Sequence, residues 1–253
     1  MMNTKNDYKA FLIDLDGTLI GRDERISPRV SEAVGKLPDY IRVSIATGRE
    51  SADAIRFARE LGLTAPQVSD NGALIIDPAD GSEVWSAPLG PGHAQAIVTE
   101  LHSLDVAFIA THSGGTVTKI EQATHWNMTR VSAMDVEESF ADELVVRFEA
   151  NPELHVVKVS LPYNGMWAVD FTRVGVDKAT AARVLAQRLG IDTSQMIAAG
   201  DSYNDLPLLE VCGLLIVMGD APDELKAIAD YIAPSIDEDG LAVAIEEFVL
   251  PRL

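Results

Sequence analysis

Apolar residues fall in short, dense runs along the first third of the chain, and polar stretches of helical rhythm separate them. Tyr8 to Ile13 reads as a buried strand that stops at Asp14. Ser27-Pro28 supplies an N-cap followed by proline at the first helical position, which predicts a helix ending before Pro38. Ile41 to Ala46 predicts a second short strand, halted by "TGRE". Ala54, Phe57, Ala58 and Leu61 recur on one helical face, so Ser51 to Leu61 is expected to be a helix with Gly62 as its stop. The stretch "APQVSDNGALIIDPADGSEVW" predicts short strands around turns at Asn71-Gly72 and Asp80-Gly81.

From about Ser82 to Thr172 the pattern changes. Helices are expected over Gly92 to Ser103 and Asp135 to Ala150. They alternate with strands over Val106 to Thr111, His155 to Leu161 and Met166 to Phe171, and the connections ("SGGT", "LPYNG") are rich in Gly, Pro and Thr. This segment has the size of a small α+β domain inserted into the first. After "RVGVDK" the opening rhythm returns. Asp177 caps a helix to Leu189, which Gly190 stops, and "MIAAGD" is a strand ending in an acid. "NDLPLLEVC" is a short helix, "GLLIVMGD" a strand, "APDELKAIAD" a helix, "YIAP" a strand and "DEDGLAVAIEEFVL" a closing helix. The expectation is an α/β protein with a doubly wound, Rossmann-like parallel sheet covered on both faces. Core segments at 1–81 and 173–253 would flank an α+β cap at 82–172.

Composition narrows the functional classes. The chain has 253 residues, 47% of them hydrophobic, enough for one large core or a core with a smaller domain. No apolar run approaches the roughly 18 residues of a membrane span, and "MMNTKNDYKA" lacks the apolar region of a signal peptide. The one cysteine, Cys212, excludes an internal disulfide and a cysteine metal cluster, which suits a cytoplasmic protein. Acids outnumber bases 39 to 20, a net charge of -19 that repels nucleic-acid backbones and anionic membranes alike. Neither is an expected partner, and any anionic substrate requires local positive charge to overrule the global field. A salty habitat or solubility alone would account equally for the acidity.

Ligands of open parallel sheets gather beyond the carboxyl ends of the strands. Four segments put polar residues there: Asp14 and Asp16 in "DLDGT", Thr47 in "ATGR", Lys178 opening a helix, and Asp201 in "GDSYND". Carboxylates this close repel by about 4 kcal/mol per pair at 4 Å and an effective dielectric near 20. A divalent cation removes that repulsion, and oxygen-only ligands suit Mg2+. With Lys178 and the Thr47 hydroxyl beside it, such a site fits a phosphate group, with one carboxylate as nucleophile and the other as general acid. Each segment alone has a plain reading: an acidic turn, a strand-to-helix turn, a surface lysine, a helix cap. Their ordered co-occurrence at strand ends or helix starts is what points to a site. "DLDG" is not an EF-hand loop, since Leu19 occupies the position that needs Gly. The five histidines lack metal-ligand spacing, and neither nucleotide-binding glycine motif occurs.

This ordered set resembles the haloacid dehalogenase (HAD) superfamily of phosphohydrolases. "SDNGALI" and the tail from "VMGDAPDELKAIADYIAP" onward look like its Cof-type branch with a C2 (IIB) cap. The resemblance implies that Asp14 attacks phosphorus to give an aspartyl-phosphate, while Asp16 protonates the leaving alkoxide and later activates water. It implies that Thr47, Gly48, Lys178 and Asn204 hold the phosphate. The Asp14 carboxylate, the Asp16 backbone carbonyl and Asp201 would bind Mg2+, with Asp205 supporting that shell. The sequence departs from the branch at Ala179, where glycine is common, and at Asp220, where "MGNA" is usual. The expected activity is hydrolysis of small phosphorylated metabolites, with sugar phosphates as the leading class. Narrower alternatives are a phosphoglycolate or mannosyl-phosphoglycerate-type phosphatase, phosphomutase chemistry is a third, and a non-catalytic metabolite-binding regulator is a reading of another class. His112, Lys119, His125, Trp126 and Lys158 are the insert's candidates for touching a leaving group.

Overall fold

A computed structural model describes residues 7–161 and 164–253; the expected "LPYNG" connection therefore lies partly outside the described residues, at Pro162 and Tyr163. The chain opens with β1 (Ala10–Ile13), α1 (Pro28–Gly35), β2 (Arg42–Ile45) and α2 (Ser51–Glu60). Ser27 caps α1 as expected, its hydroxyl accepting from the Val30 N–H, and Leu61-Gly62 ends α2. Three short strands follow, β3 (Gln67–Ser69), β4 (Leu74–Ile76) and β5 (Glu83–Ser86), and they pair antiparallel in that order. The turn between β3 and β4 holds three successive residues at positive φ, Asp70, Asn71 and Gly72. β5, just beyond the expected division at 81/82, is hydrogen-bonded to β4.

The inserted segment contains α3 (Pro91–Ser103), β6 (Phe108–His112), β7 (Gly115–Val117), β8 (Arg130–Val136), α4 (Glu138–Glu149), β9 (Leu154–Ser160) and β10 (Trp167–Arg173). Its strands form an antiparallel sheet in the order β7-β6-β8-β10-β9. Ile97 and Leu101 of α3 and Leu144 of α4 pack on that sheet around Val131, Val169 and Phe171. The sequence pattern anticipated α3, β6, β9 and β10 but missed β7 and β8. It also began α4 three residues early, because "RVSAMDVEESF" carries no Gly or Pro to mark the change. The break is made by backbone conformation instead: Asp135 sits at φ 55°, and Glu137 is extended at the N-cap.

The remainder is α5 (Lys178–Leu189), β11 (Met196–Gly200), α6 (Leu206–Val211), β12 (Leu214–Val217), α7 (Asp223–Lys226), β13 (Tyr231–Ile232) and α8 (Gly240–Val243). The closing helix continues past α8 as a π-helical stretch over Ala244–Val249. The helix expected over "APDELKAIAD" is regular only for the four residues of α7. All strands of the main sheet run parallel, in the order β13-β12-β11-β1-β2. β1 alternates its contacts with the period of a strand. Phe11 and Ile13 enter a cluster with Val30, Ala33 and Phe57, while Ala10 and Leu12 enter one with Ala181, Leu185 and Leu208. Both faces of the sheet are therefore covered, and all four residues of β1 are buried. Each large side chain so buried contributes about 1.5–3 kcal/mol.

Successive strands leave β1 toward β2 on one side and β11 toward β12 and β13 on the other. The carboxyl ends of β1 and β11 thus flank a topological switch point, where open α/β sheets form a crevice. Ala73, Ala87 and Val176 pack together where the chain enters and leaves the inserted unit. Among the described residues no helix is long and apolar enough to cross a membrane.

Candidate active site

At the end of β1 the ladder carries one bond further, from the Asp14 N–H to the Ala199 carbonyl at 2.9 Å. This fixes the Asp14 backbone beside the end of β11, and Asp201 follows that strand directly. One carboxylate oxygen from each of Asp14, Asp201 and Asp205 lies within 4.8 Å of the others. Lys178 is wholly buried between two of them, donating to Asp14 Oδ1 at 2.5 Å and to Asp205 Oδ1 at 2.6 Å. The other oxygen of Asp205 accepts from the N–H groups of Asp201 and Ser202, each at 3.1 Å. Asp205 thereby ties the loop after β11 to the lysine. The Thr18 hydroxyl donates to Asp201 Oδ1 at 3.3 Å.

Lys178 owes its place to two local features. Asp177 caps α5, its carboxylate accepting from the Thr180 N–H at 2.7 Å, which fixes where the helix starts. The first turn of α5 also rests on Gly72, where an added Cβ would lie 2.0 Å from the Asp177 carbonyl oxygen and 2.8 Å from the Lys178 nitrogen. The "SDNG" turn is thus the seat of the helix that carries the lysine.

Three acids and one amine leave the cluster short of positive charge. Burial, then repulsion from Asp205, pushes the Asp14 carboxyl well above the usual carboxylate range despite Lys178. Burial and Asp205 likewise push Asp201 up to about 6. Burial alone would lower the Lys178 pKa, but Asp14 and Asp205 outweigh it and raise it, so the ammonium form is secure. An all-oxygen set carrying excess negative charge is the environment a hard divalent cation stabilises, and these residues fit one.

The other expected site residues stand around this cluster. Asp16 is half exposed, and Arg49 pairs with it through two bonds, at 2.6 and 2.9 Å. Arg49 also reaches Glu24 at 3.0 Å and Asp53 at 3.4 Å. Thr47 is buried, and its Oγ1 accepts from the Arg49 N–H at 3.0 Å. A Cβ on Gly48 would lie 4.0 Å from Asn204 Nδ2, so the "TGR" and "GDSYND" loops face each other. Asn204 is oriented by the Ser202 hydroxyl, which donates to its Oδ1 at 2.5 Å. Arg49, Thr18 and the helix seat at Gly72 were not singled out from sequence. Each lies inside a quoted motif, Thr18 in "DLDGT", Arg49 in "ATGR" and Gly72 in "SDNGALI", but nothing in those strings marks its contact.

The insert's candidates divide. Lys158 is tied to Asp142 and Glu138 and lies over the Trp167 ring at 4.4 Å, all within its own unit. Trp126 packs against the insert's core. His112 and His125 meet edge to face with ring centroids 4.6 Å apart. The insert touches the first domain through other residues. The Thr129 hydroxyl donates to Asp70 Oδ2 at 2.6 Å, Arg130 lies beside Asp70, and the Thr116 hydroxyl donates to Glu50.

A parallel α/β sheet with a lysine-bridged carboxylate cluster at its switch point, and an antiparallel insert that touches the neighbouring loops, is an arrangement suited to phosphoryl transfer. The family model for haloacid dehalogenase-like hydrolases matches residues 11–150 and 118–245, and the chain belongs to that family. It is a HAD-type phosphatase of the Cof-like kind. It is 29% identical over 251 residues to a 5-amino-6-(5-phospho-D-ribitylamino)uracil phosphatase of Bacillus subtilis, covering 96% of this chain and 97% of that one. It is 29% identical over 235 residues to a phosphoglycolate phosphatase of Natronomonas pharaonis, covering 92% and 95%. The fold matches that of the HAD subclass IIB sugar phosphatase BT4131 with a TM-score of 0.79 at 21% identity, over 96% of this chain and 99% of that chain.

Proposed function

We propose that the protein is a Mg2+-dependent phosphomonoesterase acting on small phosphorylated metabolites, sugar phosphates foremost, through an aspartyl-phosphate. The observation that carries this reading is the burial of Lys178 between Asp14 and Asp205, 2.5 and 2.6 Å away, beside Asp201. A buried ammonium shared by two acids, within a cluster still short of positive charge, fits a site that receives a cation and a phosphoryl group together.

In this reading Asp14 attacks phosphorus, forming a carboxylate–phosphorus bond as the ester P–O bond breaks. Asp16 gives its proton to the departing alkoxide, then takes one from the water that attacks phosphorus and frees Asp14. Lys178, Asn204, the Thr47 hydroxyl and the Gly48 backbone hold the phosphoryl oxygens. Asp14, Asp201 and the Asp16 carbonyl would hold Mg2+, with Asp205 bracing Asp201 and Lys178 from behind. The cation would neutralise phosphoryl charge as it develops. We also propose that the cap runs from just after Ala87 to just before Val176, the points that pack together with Ala73.

The test is phosphate release from a panel of several dozen phosphomonoesters. Release is expected with Mg2+, and loss of it with chelator and in Asp14→Asn. Activity surviving Asp14→Asn would overturn the nucleophile assignment. Solvent 18O appearing in the released phosphate distinguishes hydrolysis from transfer to a second sugar.

A further inference from the structure

Among the described residues, four buried side-chain polar atoms lack a hydrogen-bond partner: Ser69 Oγ, Asp70 Oδ1, Asn71 Oδ1 and Arg130 Nε. Three belong to consecutive residues of the core turn. The fourth comes from the first residue of β8 in the insert and lies 3.4 Å from Asp70 Oδ1, too poorly aligned for a hydrogen bond. Buried polar groups are almost always paired, so their concentration at one seam needs a cause. Misfit between two neighbouring units is not a sufficient one. The same seam makes a short bond from the Thr129 hydroxyl to Asp70 Oδ2 at 2.6 Å.

The seam adjoins the reacting centre. The Asp70 N–H donates to the Arg49 carbonyl at 2.9 Å, the Asn71 N–H to the Thr47 carbonyl at 3.0 Å, and Gly72 abuts the start of α5. It therefore lies between the loop that holds the phosphoryl group and the cap that covers it, the region into which an ester's leaving group extends.

We propose that Asp70, Asn71 and Arg130 form the subsite that reads the leaving group, and that it takes neighbouring hydroxyls of a polyol or sugar chain. The proposal rests on the phosphomonoesterase reading above. A guanidinium N–H donates, while carboxylate and amide oxygens accept; vicinal hydroxyls do both at once and pair the whole set. An alkyl chain leaves these groups buried and unpaired, the arrangement that discriminates most sharply against an analogue lacking hydroxyls. A carboxylate leaving group meets an unfavourable balance. Asp70 and Asp170 flank the one arginine, at 3.4 and 3.6 Å, and Glu50 also acts on its charge.

The experiment compares kcat/KM of the whole protein, with Mg2+, for ribitol 5-phosphate, pentyl phosphate of equal chain length, and phosphoglycolate. The wild type is expected to favour ribitol 5-phosphate over pentyl phosphate by about 100-fold or more. Arg130→Met and Asp70→Asn are each expected to cut that ratio at least about tenfold. Both esters are read in one preparation, so the ratio is independent of the fraction folded. An unchanged ratio, or a variant inactive on both esters, overturns the subsite. A wild type that treats the two alike, or prefers phosphoglycolate, also overturns it while leaving the enzyme reading intact. Absence of phosphate release from all three defeats both.

Discussion

Gly72→Ala isolates the link between the β3–β4 turn and Lys178. Gly72 has φ 98°, a conformation that strains any L side chain by about 1–2 kcal/mol. Its new Cβ would also stand 2.0 Å from the Asp177 carbonyl oxygen. Ordinary contact begins near 3.4 Å, so backbone on one side must move by more than an ångström. Overpacking of this kind adds about 1–3 kcal/mol, giving a total loss of about 2–5 kcal/mol. The segment that gives way opens α5, and a displacement of about 1 Å at Lys178 is enough to lower turnover about 100-fold. Gly190→Ala is the control, since it shares the positive φ at 68° but meets nothing within 4 Å at the other end of the same helix. Urea unfolding should show a loss of about 1–2 kcal/mol for the control and roughly twice that for Gly72→Ala. Only Gly72→Ala should lose Mg2+-dependent phosphate release. Equal stability of the two variants, with full activity in both, would refute the seating of Lys178 on this turn.

Lys178→Met should abolish turnover and, with chelator present, lower unfolding free energy by about 3–5 kcal/mol, because Asp14 and Asp205 are left buried without a counter-charge. Urea unfolding repeated with Mg2+ should recover part of that loss. Stability should also vary with pH in a metal-dependent way. Asp201 is pushed up to about 6 from 3.8, so the folded metal-free chain holds a proton that the unfolded chain releases. Metal-free stability therefore falls as pH rises from about 4 to about 6, and Asp14 extends the loss upward. Mg2+ needs the ionised forms, so the gain in Tm on adding it should grow across that window; a gain constant with pH would contradict the assignment. Burial pushes the Cys212 thiol up to about 12, so folded protein should resist iodoacetamide at pH 8 and react once unfolded, as read by mass spectrometry.

What was legible in the sequence is what short-range physics determines. Ser27-Pro28, Gly62, Asp177 and Gly190 mark helix ends by capping chemistry, and the structure uses each of them so. The acids of "DLDGT" and "GDSYND" could be located because both follow buried apolar runs, which end where an open sheet collects its ligands. Less visible were relations between distant segments. Nothing near Gly72 in sequence reveals that α5 rests on it. Arg130 opens a strand that lacks turn punctuation, and its partner Asp70 lies on another unit. Even Arg49, inside a recognised motif, shows its pairing with Asp16 and Glu24 only when three loops are brought together.

Ala87, before the inserted segment, and Val176, after it, pack in one cluster with Ala73. An excursion whose two ends meet at one spot leaves the parallel sheet's own strand order undisturbed, and its further ties to the host run through a few side chains, Thr116, Thr129 and Arg130. The inserted unit is in that sense a graft, with its own sheet apart from the parallel one beneath it. Diversification of such enzymes toward new molecules would then proceed by rewriting the visitor and leaving the ground it stands on alone.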